Sequence, residues 1–164
     1  MIKIKGDLKR RTIELLNERG VTLKDIAELT FMLQEKYVPK LTMAECLTSV
    51  EAVVGKREVQ TAVITGLEID IAAERGHFGP ELTDMLMNDY PLYGIDEILV
   101  LSIVNVYGSI GLTNFGYIDK VKPGIIGEID KLGKDEHRCN TFLDDVVGAI
   151  AAAAASRIAH GQGD

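Results

Sequence analysis

The sequence predicts an all-α fold: one multi-helix bundle closed by an Ala-rich C-terminal helix. Three observations carry this. Apolar residues recur at three- and four-residue steps through most of the chain. Helix-start and helix-stop residues punctuate those stretches at Thr22, Pro39, Thr42 and Gly76. From Ala149 to Ala155 every residue except Ile150 is Ala, the best intrinsic helix former. At 164 residues the chain has the length of one domain with a real core, and nothing in it reads as a repeat, a linker or a second domain, so residues 1–164 are taken together.

Met1–Gly6 reads as a short, loosely held arm. Leu8–Arg19 carries Leu8, Ile13, Leu15 and Leu16 among charges, with Gly20 as its stop. Thr22 starts a second helix with Leu23, Ile26, Thr30, Leu33 and Tyr37 on one face, ended by Pro39. Thr42 and Glu45 make a capping box for a third helix, whose apolar stripe is Cys46, Leu47, Val50, Val53 and Val54. Lys56–Arg75 is the fourth, with Val59, Val63 and Leu67 inward and Asp70 on the same face, as a half-exposed acid or a carboxylate supporting a site. Pro80 opens a short helix over Glu81–Met87. Ile95–Val106 is rich in Ile and Val but has neither alternation nor partner strands, so it reads as a buried helix. Gly108, Gly111 and Asn114 loosen the chain before a short helical piece at Phe115–Lys120, and Ile125–Lys131 adds a turn or two. Gly133–Asn140 is a polar loop, after which Asn140 or Thr141 caps the last helix, running to about His160. Its Ala stripe and the apolar segment Ile98–Val106 are both candidate subunit interfaces, so a homo-oligomer is expected.

Composition excludes several classes of function. A formal net charge of −7 and the lack of a basic stripe argue against nucleic acid as a partner. Aromatic residues are 5% and Trp is absent, so stacking platforms are not expected. Cys46 and Cys139 stand alone and read as free thiols of a reducing cytoplasm. The apolar run Ile98–Leu112 is broken by Asn105, Gly108 and Ser109 and is shorter than the roughly 20 residues of a membrane span, so no transmembrane segment is expected. His77, His137 and His160 lack zinc-site spacing.

The chemistry lies in the acids. Asp96-Glu97 and Asp144-Asp145 each open an apolar helix, and Asp119 and Asp130 flank Lys122-Pro123. Adjacent residues on a helix point about 100° apart, so each pair can send one oxygen donor to a cation and the other to a second partner. Mg²⁺ or another divalent cation takes oxygen ligands of this kind. Acids with one Lys suit a phosphate held by such a cation, with a spare carboxylate to handle the proton. The same pattern also answers an ordinary need, because acids in a first helical turn complement the helix dipole and cap free N–H groups. Asp119 and Asp130 taken alone fit a solvated face.

The run F-G-Y-I-D-K-V-K-P-G-I-I-G-E-I-D, followed by L-D-D-V-V-G-A-I and preceded by I-D-E-I, resembles the phosphatidylglycerophosphatase A family, whose motifs fall here between positions 93 and 160. It is most similar to the family's short, soluble Gram-positive branch. The resemblance implies an all-helical fold and functional roles for Asp96, Glu97, Asp119, Lys122, Pro123, Asp130, Asp144, Asp145 and Gly148. It also implies an Mg²⁺-dependent phosphatase. Asp96, Glu97, Asp144 and Asp145 are the expected metal ligands, and Asp119, Lys122 and Asp130 the expected catalytic groups. The substrate is expected to be a phosphorylated small molecule or a lipid headgroup such as phosphatidylglycerophosphate. The expected location is the cytoplasm, with contact to the membrane periphery. The rival reading is a non-catalytic metal- or anion-binding oligomer descended from such an enzyme.

Overall fold

The computed structural model describes residues 7–135 and 137–161, and among them every regular element is helical. In order these are α1 (Leu8–Glu18), α2 (Leu23–Gln34), α3 (Met43–Val54), α4 (Arg57–Glu74), α5 (Pro80–Met87) and α6 (Ile95–Val104). A 3-10 turn (Asn105–Tyr107) leads into α7 (Gly108–Val121), α8 (Ile125–Asp135) and α9 (Leu143–Gly161). The expected arm Met1–Gly6 lies outside the described residues.

Local sequence chemistry sets several of the helix starts. Asp7 caps α1, its Oδ1 accepting from the Lys9 and Arg10 N–H groups at 3.0 and 3.4 Å. Thr22 with Asp25 and Thr42 with Glu45 both form complete capping boxes, each satisfying N–H groups that helix geometry leaves without partners. Pro80 occupies the first turn of α5.

The bundle is built around α9. Apart from Asp144, which is half-buried, its residues from Leu143 to Ser156 are buried. The helix packs against α2, α3, α4, α6, α7 and α8. A helix surrounded on every side must be small on every side, which the Ala run provides. Ser49 Oγ donates to the Ala154 carbonyl at 2.9 Å, and Ser156 Oγ donates to the Tyr107 carbonyl at 2.7 Å, so hydroxyls beside this helix are satisfied by backbone. Around it Leu15, Leu16, Val50, Val59, Val63 and Leu67 are fully buried, each side chain contributing about 1.5–3 kcal/mol before conformational entropy is subtracted.

Several expectations are corrected. The Ala stripe is the interior of the bundle, not an interface. Helix α2 ends at Gln34, so Tyr37 falls in the following turn and is 75% exposed. Helix α8 continues to Asp135, into the expected loop. Residues 108–114 do not loosen the chain, because Gly108–Val121 is one helix and Gly111 is buried within it. Helix α6 is buried at Asp96 and along Val100, Ile103 and Val104, while Ile95 and Ile98 face outward. The helical stretch Ile95–Val121 has the length and apolar composition of a membrane span, contrary to expectation. In this fold it turns back on itself at Gly108 (φ 76°), and α6 packs against α7.

Gly148 shows how closely α7 and α8 approach α9. A Cβ there would lie 3.1 Å from Ile118 Cγ2 and 3.6 Å from Ile126 Cδ1. Gly148→Leu is therefore expected to overpack this junction and lower stability by about 1–3 kcal/mol, read as a lower urea midpoint with an unchanged denaturant slope.

Candidate active site

The predicted acids arrive at one end of the bundle from three directions. Asp96 and Glu97 lie in the first turn of α6, Asp119 in the last turn of α7, and Asp144 and Asp145 in the first turn of α9. Together with Lys122 these five acids line a cleft of about 280 Å³. The start of α6 and the end of α7 meet here because the two helices run antiparallel. Asp130 is not among the cleft's lining residues. It borders an adjoining cleft of about 240 Å³, with Asp144 and Asp89 common to both.

Lys122 stands between the two clefts. Its Nζ donates to Asp144 Oδ2 at 3.0 Å and lies 3.7 Å from Asp130 Oδ1. The D-x-x-K-P motif explains how it gets there. Pro123 disfavours right-handed helical backbone at the residue before it, and Lys122 closes α7 in the left-handed region at φ 47°, ψ 56°. Gly127 permits the next turn, since a Cβ there would sit 2.8 Å from the Lys122 carbonyl oxygen. Burial alone would lower the lysine's pKa, but Asp144, then Asp130 and Asp89, hold it above its ordinary value, so it stays charged.

The acids themselves are crowded. Asp145 is 5% exposed, and among the described residues no hydrogen-bond donor meets its carboxylate. Burial raises its pKa far above the usual carboxylate range, and Asp144, Asp96, Asp119 and Glu97 each push it further. Asp144 is also raised by burial, with Lys122 pulling the other way. Glu97 is raised by desolvation, then by Asp119 and Asp96. Two of the acids are partly occupied with capping: Asp96 Oδ1 accepts the Glu97 N–H at 3.0 Å and Asp144 Oδ1 the Asp145 N–H at 2.9 Å. Both roles foreseen for such acids, cap and cleft lining, thus coexist in the same side chains.

As donors, these groups suit a hard cation: all are carboxylate oxygens, and a positive ion among them would relieve the repulsion on Asp145. They are not drawn together at ligand spacing, since among the described residues no group of three acidic, His or Cys side chains is already arranged to hold a metal. Lys122 and the two caps hold oxygens that a cation would have to win over.

A residue outside the motifs places this constellation. Asp70 on α4 is not half-exposed but completely buried. Its carboxylate accepts the N–H of Phe142 at 3.1 and 3.2 Å and of Leu143 at 3.0 Å, with Cys139 Sγ at 3.4 Å. It therefore caps α9 from another helix. The expected caps are otherwise engaged, Thr141 donating to the Leu86 carbonyl and Asn140 to that of Ile129. Arg19 pairs with Glu74 and donates to the Cys139 carbonyl at 2.6 Å, tying α1 and α4 to the same segment. Burial pushes Asp70 up to about 8 against the opposing pull of the Phe142 N–H, Cys139, Arg19 and the Leu143 N–H. Asp89, in the N-D-Y-P turn with φ 45°, is a second cleft residue that the motifs do not include. Its only sequence signal is the turn itself.

Residues 20–160 match the family described as phosphatidylglycerophosphatase A. The chain belongs to that family. The match reaches well upstream of position 93, where the sequence motifs begin, and takes in α2–α5 and Asp70. Among the family member's relatives, the uncharacterized proteins YutG and YpjQ of Bacillus subtilis are each 56% identical, over 145 and 149 residues. YutG is matched over 88% of this chain and 86% of its own length, YpjQ over 91% and 82%. Two solved structures share the whole fold. The low temperature requirement C protein of Listeria monocytogenes has a TM-score of 0.93 at 54% identity, with 98% of this chain and 99% of that one covered. A protein of unknown function from Bacillus stearothermophilus has a TM-score of 0.91 at 55% identity, with 96% and 97% covered.

Two outcomes are expected of the site. Asp70→Ala leaves the Phe142 and Leu143 N–H groups buried without that acceptor and should cost at least about 2 kcal/mol, read by chemical denaturation. The folded-state pKa values of Asp70, Asp144 and Asp145 are all raised, so between the ordinary carboxylate value of about 4 and the raised values the folded chain binds more protons than the unfolded one. Stability must then fall as pH rises through that window. Without added cation the chain should be less stable at about pH 8 than at about pH 5 by on the order of 1 kcal/mol or more, and Asp145→Asn should flatten the dependence.

Proposed function

We propose that this protein is a phosphatase that hydrolyses a phosphomonoester with the help of Mg²⁺ or another divalent cation. The observation that carries the reading is Asp145, a buried carboxylate facing a cleft, without a hydrogen-bond donor among the described residues and surrounded by four other acids. An uncompensated buried charge of this kind is costly unless something positive joins it. Family membership supplies the reaction class.

Asp96, Glu97, Asp144 and Asp145 would hold the cation, which when bound would neutralise charge on the phosphate. Lys122, kept cationic by its acidic neighbours, would draw the phosphate's non-bridging oxygens to the cleft and hold them there. Asp119 lines the cleft on the α7 side and would take a proton from the attacking water at its carboxylate oxygen. The water oxygen forms the new bond to phosphorus as the ester P–O bond breaks, and the departing alkoxide is protonated by solvent while Asp119 releases the proton it took. Asp130 pairs with Lys122 from the adjoining cleft, so its role is to orient that lysine. A phosphorylated small molecule or a lipid headgroup such as that of phosphatidylglycerophosphate fits this scheme equally.

One observation favours the rival reading of a non-catalytic metal- or anion-binding protein: Lys122 already occupies an Asp144 oxygen, as it would in a site kept closed. Phosphate release from a panel of phosphomonoesters, with and without Mg²⁺, separates the two. An enzyme should release phosphate only with the cation, and Asp144→Asn or Asp96→Asn should reduce the rate at least about a hundredfold with thermal stability nearly unchanged. Metal that raises the melting temperature with no turnover on any substrate would give the binding protein first place.

A further inference from the structure

The helix pair α6–α7 has an outer face left open to solvent among the described residues. Residues 98–118 contain no charged side chain, in a chain whose formal net charge is −7. They do not fill the core: Ile98 is 65% exposed and Leu112 and Tyr117 are each 54% exposed, with Val106 and Ile110 also open to solvent. Ile98, Leu101, Ser102 and Asn105 recur at three- and four-residue steps on α6, as Ser109 and Leu112 do on α7, so these residues share one face of the pair. Between them is a groove of about 520 Å³ lined by Leu101, Ser102, Asn105, Gly108, Ser109 and Leu112, among others, again without a charge. Ile95 and fully exposed Leu92 extend the apolar surface to the rim of the acidic cleft. A contiguous exposed apolar surface of this kind marks an interaction site.

We propose that this face docks a second copy of the same chain through a two-fold contact. Charge selects the occupant. Two copies of an acidic protein repel one another over most of their surfaces, and a face with no charged residue is where they can meet without that penalty. A two-fold contact needs one self-complementary patch, and an uncharged apolar face with a shallow groove meets that need. A membrane surface is the poorer match, because helices that lie on bilayers carry Lys and Arg beside the apolar face. Here the basic residues near its ends, among the described residues, are few: Lys120 and Lys122, the latter already paired with Asp144, and Arg157 near Tyr107.

The test needs neither substrate nor metal, so it stands or falls apart from the phosphatase reading. Sedimentation equilibrium of the full chain at tens of micromolar should give twice the 17.9 kDa chain mass. Ile98→Glu and Leu112→Glu should each give the single-chain mass with an unchanged helical circular dichroism spectrum. If either variant fails to fold, Ile98→Ser and Leu112→Ser should weaken self-association at least about tenfold. A wild-type chain that is monomeric at these concentrations would overturn the proposal, as would an oligomer indifferent to all four substitutions. Monomeric wild type that floats with phosphatidylcholine vesicles would also overturn it and assign the face to a bilayer.

Discussion

At the start of α9 the fully buried Asp70 carboxylate accepts the N–H groups of Phe142 and Leu143, joining α4 to that helix across 72 positions of sequence. Burying a carboxylate is unfavourable unless donors replace its water, and the first turn of a helix presents N–H groups that need acceptors. Each solves the other's problem. Arg19, paired with Glu74 and bonded to the Cys139 carbonyl, secures the segment just before this turn. The direction in which Asp144 and Asp145 leave α9 follows from this anchor, so the acidic cleft is built on a contact that contains none of its own lining residues.

Around that anchor the cleft balances crowded acids against a single lysine. Lys122 adopts a left-handed backbone that a side chain with a Cβ enters only at some cost. Pro123 and the missing Cβ of Gly127 make the conformation accessible, and the ion pair with Asp144 rewards it. What this arrangement leaves unbalanced is Asp145. Its neighbours are acids on α6, α7 and α9, and the helix dipole at the start of α9 is only partial compensation. A cleft arranged like this has the chemistry to receive positive charge.

The solved relatives share this fold over nearly their whole length at more than half identity, yet fold alone does not specify what a helical bundle does. The distribution of apolar surface is informative in a different way. The most apolar helix pair, α6–α7, lies at the edge of the bundle, while the Ala-rich α9 occupies its centre. Size explains the difference: a central helix must admit neighbours on every side, and Ala allows that where Ile and Leu do not.

Much of the helix pattern is legible in the chain. The Thr22 and Thr42 starts, the Pro80 start and the stripes of α3 and α4 all depend on residues within a few positions of each other, where capping and periodicity act. The acids that gather in the cleft are likewise marked by their motifs, because each opens or closes a helix. The chain alone does not disclose that Asp70 caps α9, that α6 and α7 fold back at Gly108, or that Asp130 borders an adjoining cleft beside Lys122. Nor does it tell which apolar stripe is core and which is surface, and so it suggests the Ala run as an interface. Local chemistry determined where helices begin and which acids are available. Packing between residues far apart in sequence decided how those helices are oriented, and with that which carboxylates share a cleft and which are left without a partner.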